Sequence, residues 1–95
     1  MRRIIDNKLY DTDKATLVAE HYEGYNDEFH SICEALYIKK TGEWFLHGEG
    51  GQCTRYCDAG EGGVIEPFAE DEAKDWLADK NFIDEYIQYF GEPEE

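Results

Sequence analysis

The stretch EALYIKKTGEWFLHGEGG, residues Glu34–Gly51, decides the fold of this chain. Two runs rich in aromatic and β-branched residues, 35–39 and 43–47, flank a short turn at Thr41-Gly42, and this pattern predicts a β-hairpin. Gly42 supplies the positive φ angle that a short hairpin turn requires. We therefore expect the rest of the chain to pack on this hairpin.

The second strand of the hairpin carries apolar side chains on both faces. Strand alternation places Leu36 and Ile38 of the first strand on one face. In the second strand it separates Trp44 and Leu46 from Phe45. A strand that is apolar on both faces is typical either of the centre of a sheet or of a position that is covered on both sides.

Length and charge limit what the protein can be. A chain of 95 residues is sufficient for one domain with a modest core, and an aromatic content of 15% argues against disorder. The 23 Asp and Glu residues outnumber the 9 Lys and Arg residues and give a net charge of −14. This charge repels nucleic acid and anionic membranes, so neither is expected as a direct partner, and it favours a basic protein partner.

We expect a single domain over residues 1–95. Residues 1–68 are predicted to be mainly β, with a glycine-rich loop at 48–63, residues 69–91 to be helical, and residues 92–95 to form a frayed tail. The fold class predicted is α+β, an antiparallel sheet of four to five strands with two C-terminal helices packed on one face.

The two helices are predicted from about Glu70 to Lys80 and from Ile83 to Phe90. Ala69 is the expected N-cap of the first helix, and Gly91 is expected to end the second. Apolar spacing predicts that six side chains pack on the sheet, namely Trp76, Leu77, Ile83, Tyr86, Ile87 and Phe90.

The first helix carries a stripe of carboxylates. Asp71, Asp75 and Asp79 recur every four residues, about 6 Å apart along the helix axis, which is roughly the spacing of phosphates along a nucleic-acid strand. The stripe is interpreted either as a phosphate-like surface that binds a basic groove or as a solvated helix face. The residues expected to contact a partner are Glu66, Glu70, Asp71, Asp75, Asp79, Asp84, Glu85, the exposed aromatic Tyr89, and Arg55 and Tyr56 in the glycine-rich loop.

The cysteines favour a chemical function only weakly. Cys53 and Cys57, with His47 upstream, suggest either a zinc site or a thiol enzyme. Their three-residue spacer is uncommon in zinc sites, a fourth ligand is not evident, and no nucleophile motif is present. We therefore expect no metal, no cofactor, no catalytic residue and no enzymatic activity. Three cysteines without a visible signal peptide or membrane span suggest an intracellular protein with free thiols.

Four segments carry a resemblance to a known family: KLYDT (8–12), ALYIKKTGEWFLHGEGG (35–51), IEP (65–67) and EAKDW (72–76). They are similar to a family of small acidic, mostly uncharacterised proteins that phages and other mobile elements of Gram-positive bacteria carry. Anti-CRISPR proteins are common in that setting, and some of them imitate DNA. The resemblance therefore implies a protein of the bacterial cytoplasm and an anti-CRISPR activity.

These observations lead to one main hypothesis and two alternatives. The main hypothesis is a non-enzymatic anti-CRISPR inhibitor whose acidic, DNA-mimicking surface blocks the nucleic-acid-binding channel of a Cas effector. The first alternative is an acidic interaction or regulatory module that binds a basic host protein or forms a homodimer. The second is the small thiol or zinc-site protein.

Overall fold

The structure, a computed structural model, describes residues 1–23, 32–50 and 63–93. It confirms the α+β fold class, because strands are followed by two C-terminal helices. In chain order the elements are β1 (Arg2–Ile5), β2 (Lys8–Asp11), β3 (Thr16–Glu23), β4 (Ile32–Ile38), β5 (Trp44–Gly50), β6 (Val64–Phe68), α1 (Glu70–Asp79) and α2 (Ile83–Phe90).

The strands form two separate antiparallel sheets. The main sheet has the order β3-β4-β5-β6, and β1 pairs with β2 in a hairpin of its own. The predicted hairpin is β4–β5, with Tyr37 opposite Phe45 and Leu36 opposite Leu46. Gly42 in its turn has a φ angle of 92°, as predicted. Since β4 and β5 lie in the middle of the main sheet, they determine what covers its two faces.

One face of the main sheet is covered by the two helices. The buried residues on this side include Leu36, Trp44 and Leu46 of the sheet and Trp76 and Leu77 of α1. The rings of Trp44 and Phe90 stack with centroids 5.2 Å apart, and Tyr89 meets Trp44 edge-on at 5.3 Å.

The opposite face is covered by the β1–β2 hairpin around Phe45. Phe45 is fully buried, stacked on Tyr37 with centroids 5.2 Å apart, and Tyr10 of β2 meets its ring edge-on at 5.5 Å. Ile65 of β6 completes this smaller core. Both alternatives given for this strand therefore hold, because β5 is central in its sheet and covered on both sides, and the second cover is the N-terminal hairpin.

A two-residue turn makes that hairpin a separate unit. Asp6 and Asn7 have φ angles of 52° and 64°, the positive values that tight hairpin turns require and that Asp and Asn tolerate well. The chain therefore reverses immediately after Ile5, and β2 returns alongside β1.

The helix termini agree with the predictions from sequence. Ala69 is the N-cap of α1, and the backbone N–H of Ala69 donates a hydrogen bond of 2.9 Å to the Glu72 carboxylate. Asn81, with a φ angle of 64°, follows the end of α1, and Gly91, with a φ angle of 82°, ends α2.

The predicted packing of α2 is wrong at two positions. Ile83 and Ile87 are 58% and 37% exposed. Phe82, Tyr86, Tyr89 and Phe90 pack on the core instead. Phe82 stacks on Trp76 with centroids 5.6 Å apart, and burying these large rings turns the two isoleucines outward because aromatic side chains remove more apolar area from water.

The predicted start of the glycine-rich loop is also wrong. Residues 48–50 continue β5, where Gly48 pairs with Glu34 on one side and with Val64 on the other. Gly48 is buried, and Gly63 approaches it closely. Glycine here permits close backbone approach within a sheet rather than an irregular loop. Residues 51–62 of the predicted loop lie outside the described residues.

Phe45→Ala tests the two-sided core. We expect a loss of about 3–5 kcal/mol in the free energy of unfolding, because a fully buried ring is removed from contact with Tyr10 and Tyr37. Urea denaturation followed by circular dichroism measures it. Leu17→Ala, at a side chain that is 49% exposed, is the control and should change stability by under about 1 kcal/mol. Equal effects of the two substitutions would contradict the burial of Phe45.

Gly63→Ala and Gly42→Ala form a matched pair, since both glycines have positive φ angles. A Cβ at Gly63 would clash with the Gly48 carbonyl oxygen, whereas a Cβ at Gly42 meets nothing within 4 Å. Gly42→Ala should cost about 1–2 kcal/mol of stability through backbone strain alone. Gly63→Ala should cost about 1–3 kcal/mol more, because a backbone atom must move. Similar midpoints in urea for the two variants would contradict this geometry.

Candidate acidic interaction surface

The helix layer presents its carboxylates to solvent. Asp71, Asp75 and Asp79 are all exposed on α1. Glu66 is exposed on β6 and pairs with Leu46, so it lies on the same face of the sheet as the helices. Glu70 and Asp84 are exposed and Glu85 is half-buried near the helix N-termini. The predicted acidic residues of the described chain therefore share one side of the molecule.

The lysines of the helix layer do not neutralise this side. Lys80 turns toward the sheet, where its Nζ lies 3.8 Å from Glu23 and 3.9 Å from the buried Glu34. Lys74 lies over the Phe90 ring, 5.2 Å from its centroid. Within the described residues, no ion pair within 4.0 Å involves Asp71, Asp75 or Asp79.

Charge is therefore divided between the two layers that cover the sheet. Residues 69–93, the helix layer, contain eight carboxylates and two lysines, a net charge of −6. Residues 1–15, which include the β1–β2 hairpin, contain three carboxylates and four basic side chains, a net charge of +1. Of the two layers that cover the sheet, the helix layer is therefore the acidic one, as a surface that attracts a cationic partner requires.

A shallow groove runs along the acidic side of α1. It has a volume of about 370 Å³, and it is lined by Phe68 and Trp76 together with Glu72, Asp75 and Asp79. Trp76 Nε1 is buried and has no hydrogen-bond partner among the described residues. Carboxylates beside aromatic rings suit an arginine or lysine side chain, because the carboxylates accept its hydrogen bonds and the rings pack on its apolar stem.

Tyr89 differs from its prediction as an exposed contact. It is half-buried against Trp44, although it also lines a second groove that it shares with Glu70. Its main contact is with the core. Arg55 and Tyr56, the predicted loop contacts, lie outside the described residues, so their assignment stays a prediction.

The basic side of the molecule has its own ion pairs. Lys8 Nζ lies 3.0 Å from Glu43 Oε2, and Lys39 Nζ lies 3.7 Å from Glu43 Oε1. The hydrogen bond between Lys8 and Glu43 raises the pKa of Lys8 and lowers the pKa of Glu43. The first pair links the β1–β2 hairpin to the β4–β5 turn, and the second lies within that turn.

The cysteine and metal alternatives concern residues that lie mostly outside the described part of the chain. Cys53 and Cys57 lie outside it, and within it no three His, Cys, Asp or Glu side chains are grouped to hold a metal. His47 Nε2 lies 3.6 Å from Glu49 Oε1. Cys33 on β4 is half-buried, and burial, followed by the nearby Glu20 and Glu49, raises the pKa of its thiol. A raised pKa disfavours the thiolate that nucleophilic chemistry needs.

Among the described residues, neither helix has the length and apolar character needed to cross a lipid bilayer.

Comparisons of the chain with profiles of protein families, with curated proteins and with solved structures gave no match. The resemblance drawn from sequence therefore stays a prediction, and the surface must be interpreted from its own geometry.

The groove itself was not predicted from sequence. Asp75 and Asp79 are part of the predicted stripe and Glu72 lies beside them on α1, but Phe68 becomes their neighbour only when β6 packs beside α1. The sequence feature that could have indicated this groove is the short connection between Phe68 and Glu70, since a short loop keeps consecutive elements adjacent.

The environment of Cys33 predicts slow reaction with iodoacetamide. In the Cys53→Ser/Cys57→Ser variant, alkylation of Cys33 near neutral pH should be slower in the folded protein than in the same variant unfolded in urea. Because the pKa of the folded thiol is raised, the pH midpoint of the rate should lie above that of the unfolded control. Mass spectrometry measures both. Faster alkylation in the folded state would contradict the raised pKa of the Cys33 thiol.

Proposed function

We propose that this protein is a non-enzymatic inhibitor that uses its acidic helix layer to occupy a cationic nucleic-acid-binding channel of another protein. The observation that carries the proposal is the separation of charge. The exposed carboxylates of α1 lie together on one side of the fold, and the lysines of the same layer are engaged elsewhere.

The arrangement supports binding in two ways. Concentrated charge accelerates the encounter with a basic surface and makes both rate and affinity sensitive to salt. The groove beside α1 adds a contact of a different kind, since Asp75 and Asp79 flank the aromatic side chains of Phe68 and Trp76. An arginine or lysine side chain of the partner, which holds a phosphate when nucleic acid is bound, can bind in this groove between the carboxylates of Asp75 and Asp79.

The resemblance described above selects the first partner to test. It suggests an anti-CRISPR protein in the cytoplasm of a bacterial host and a Cas effector as the protein inhibited. In this proposal the effector channel binds the helix layer in place of DNA, and the protein itself does not bind nucleic acid, because its net charge of −14 repels it.

The second candidate is an acidic interaction module that binds a basic host protein with no channel to block. The exposed apolar side chains Ile83 and Ile87 favour it, because a phosphate-like surface does not require apolar contacts. Competition separates the candidates, since DNA should displace an inhibitor of a nucleic-acid channel but should not displace an ordinary module.

The competition test uses a panel of purified nucleic-acid-processing complexes, beginning with Cas effectors. At least one complex should bind the full chain, and duplex DNA should compete with it. A panel in which nothing binds, or in which protein and DNA bind the same complex together, would contradict channel blocking.

Asp75→Lys/Asp79→Lys tests the acidic surface on the complex that binds. We expect affinity to fall by about tenfold or more, because each substitution converts an attraction of roughly 1 kcal/mol into a repulsion. The dependence of affinity on salt concentration should also become weaker. Isothermal titration calorimetry at several salt concentrations measures both.

Asp13→Lys/Glu20→Lys is the matched control for this experiment. It makes the same change in net charge at two exposed positions, and Glu20 pairs with Ala35, which places it on the face away from the helices. This variant should bind nearly as the natural chain does. If both variants lose affinity equally, overall charge rather than the helix layer attracts the partner.

A further inference from the structure

An apolar groove lies between the end of α1 and the outer side of α2. It has a volume of about 230 Å³. Its lining is almost entirely apolar, and the residues are Leu77, Ala78, Phe82, Ile83, Tyr86, Ile87 and Pro93. This groove is distinct from the acidic groove beside β6, because the two share no lining residue.

Two isoleucines make this groove accessible. Ile83 and Ile87 are 58% and 37% exposed and are one helical turn apart on α2, so they form a ridge along one wall. Such β-branched side chains gain no stability from water contact, and a paired apolar ridge of this kind is a common feature of helix-binding surfaces.

The acidic residues near the groove favour a positively charged binding partner. Asp79, Asp84 and Glu92 each adjoin a lining residue in the chain. No lysine or arginine lines the groove, and Lys80 is directed toward Glu23 and Glu34 of the sheet. A second copy would bring two helix layers of net charge −6 together, which is unfavourable. A cationic segment brings the opposite charge to this layer.

We propose that this groove binds an amphipathic cationic segment of the partner, with apolar side chains against Ile83 and Ile87 and flanking lysine or arginine side chains against Asp79, Asp84 and Glu92. This inference rests on the proposed function, and it names the chemistry of the partner segment. An apolar centre with a charged rim is the usual anatomy of a specific protein interface. It supplies an affinity that salt does not screen, beside the salt-sensitive contact of the acidic surface.

Two peptides test the chemistry. The first is an amphipathic Leu/Lys helix of about 18 residues, a length that spans several turns of a groove-binding helix. The second has the same lysines with every leucine replaced by serine. Fluorescence anisotropy with the full chain should give about tenfold or greater preference for the leucine peptide, the difference expected for burying one or two isoleucine-sized groups. Equal affinity for the two peptides would overturn the proposal.

Ile83→Ser/Ile87→Ser locates the site. This variant should lose the preference for the leucine peptide and keep its affinity for the serine peptide. Ile4→Ser/Leu17→Ser, at side chains that are 72% and 49% exposed elsewhere, should keep the preference. If the first variant keeps it or the second loses it, the peptide binds outside the groove and the proposal is wrong.

The remaining outcomes distinguish this inference from the proposed function. Sedimentation of the natural chain should show a monomer, and a dimer that Ile83→Ser/Ile87→Ser abolishes would assign the groove to a second copy instead. With Asp71→Lys/Asp75→Lys, which leaves the residues assigned to the groove unchanged, affinity for the serine peptide should fall. If that affinity is unchanged while the leucine preference persists, the acidic-surface proposal is wrong and the groove proposal is retained.

Discussion

The packing of β5 on both of its faces is the constraint on which the rest of the structure depends. Trp44 and Leu46 pack under the helices, and Phe45 packs under the β1–β2 hairpin. A sheet of four strands in a chain of 95 residues therefore acquires two small cores rather than one, which stabilises a short chain that has little apolar area to bury. Each cover then has an outer surface whose charge is independent of the other.

That independence is what allows the charge to be divided. Self-repulsion from a net charge of −14 destabilises a compact chain, yet the carboxylates of the helix layer remain exposed and together. The covering hairpin carries basic side chains, and its Lys8 is paired with Glu43, so part of the repulsion is offset on the far side of the sheet. Concentrating carboxylates on α1 costs stability, which is the kind of compromise associated with a binding surface.

Several predictions from local pattern agree with the structure for local reasons. The hairpin turn at Gly42 and the helix termini at Ala69 and Gly91 depend on the conformation of one or two residues, and the structure shows them. The predictions that are wrong concern competition between side chains. Helical spacing alone does not decide whether Phe82 or Ile83 is buried, because the outcome depends on the stacking partner that Trp76 provides. The glycine pattern at 48–50 is equally ambiguous, since a strand closely approached by another backbone also requires glycine.

By itself, the sequence determined the α+β class, the two-sided apolar strand, the helix boundaries and the acidic stripe of α1, because each depends on alternation, helical period or turn residues that act over short distances. Only the tertiary structure decided that the N-terminal hairpin covers the second face and that Lys80 turns away from the acidic side. It also decided that an aromatic groove and an apolar groove flank the stripe. These features depend on which elements share a surface, and that choice follows from the burial of large rings and the pairing of charges between residues far apart in the chain.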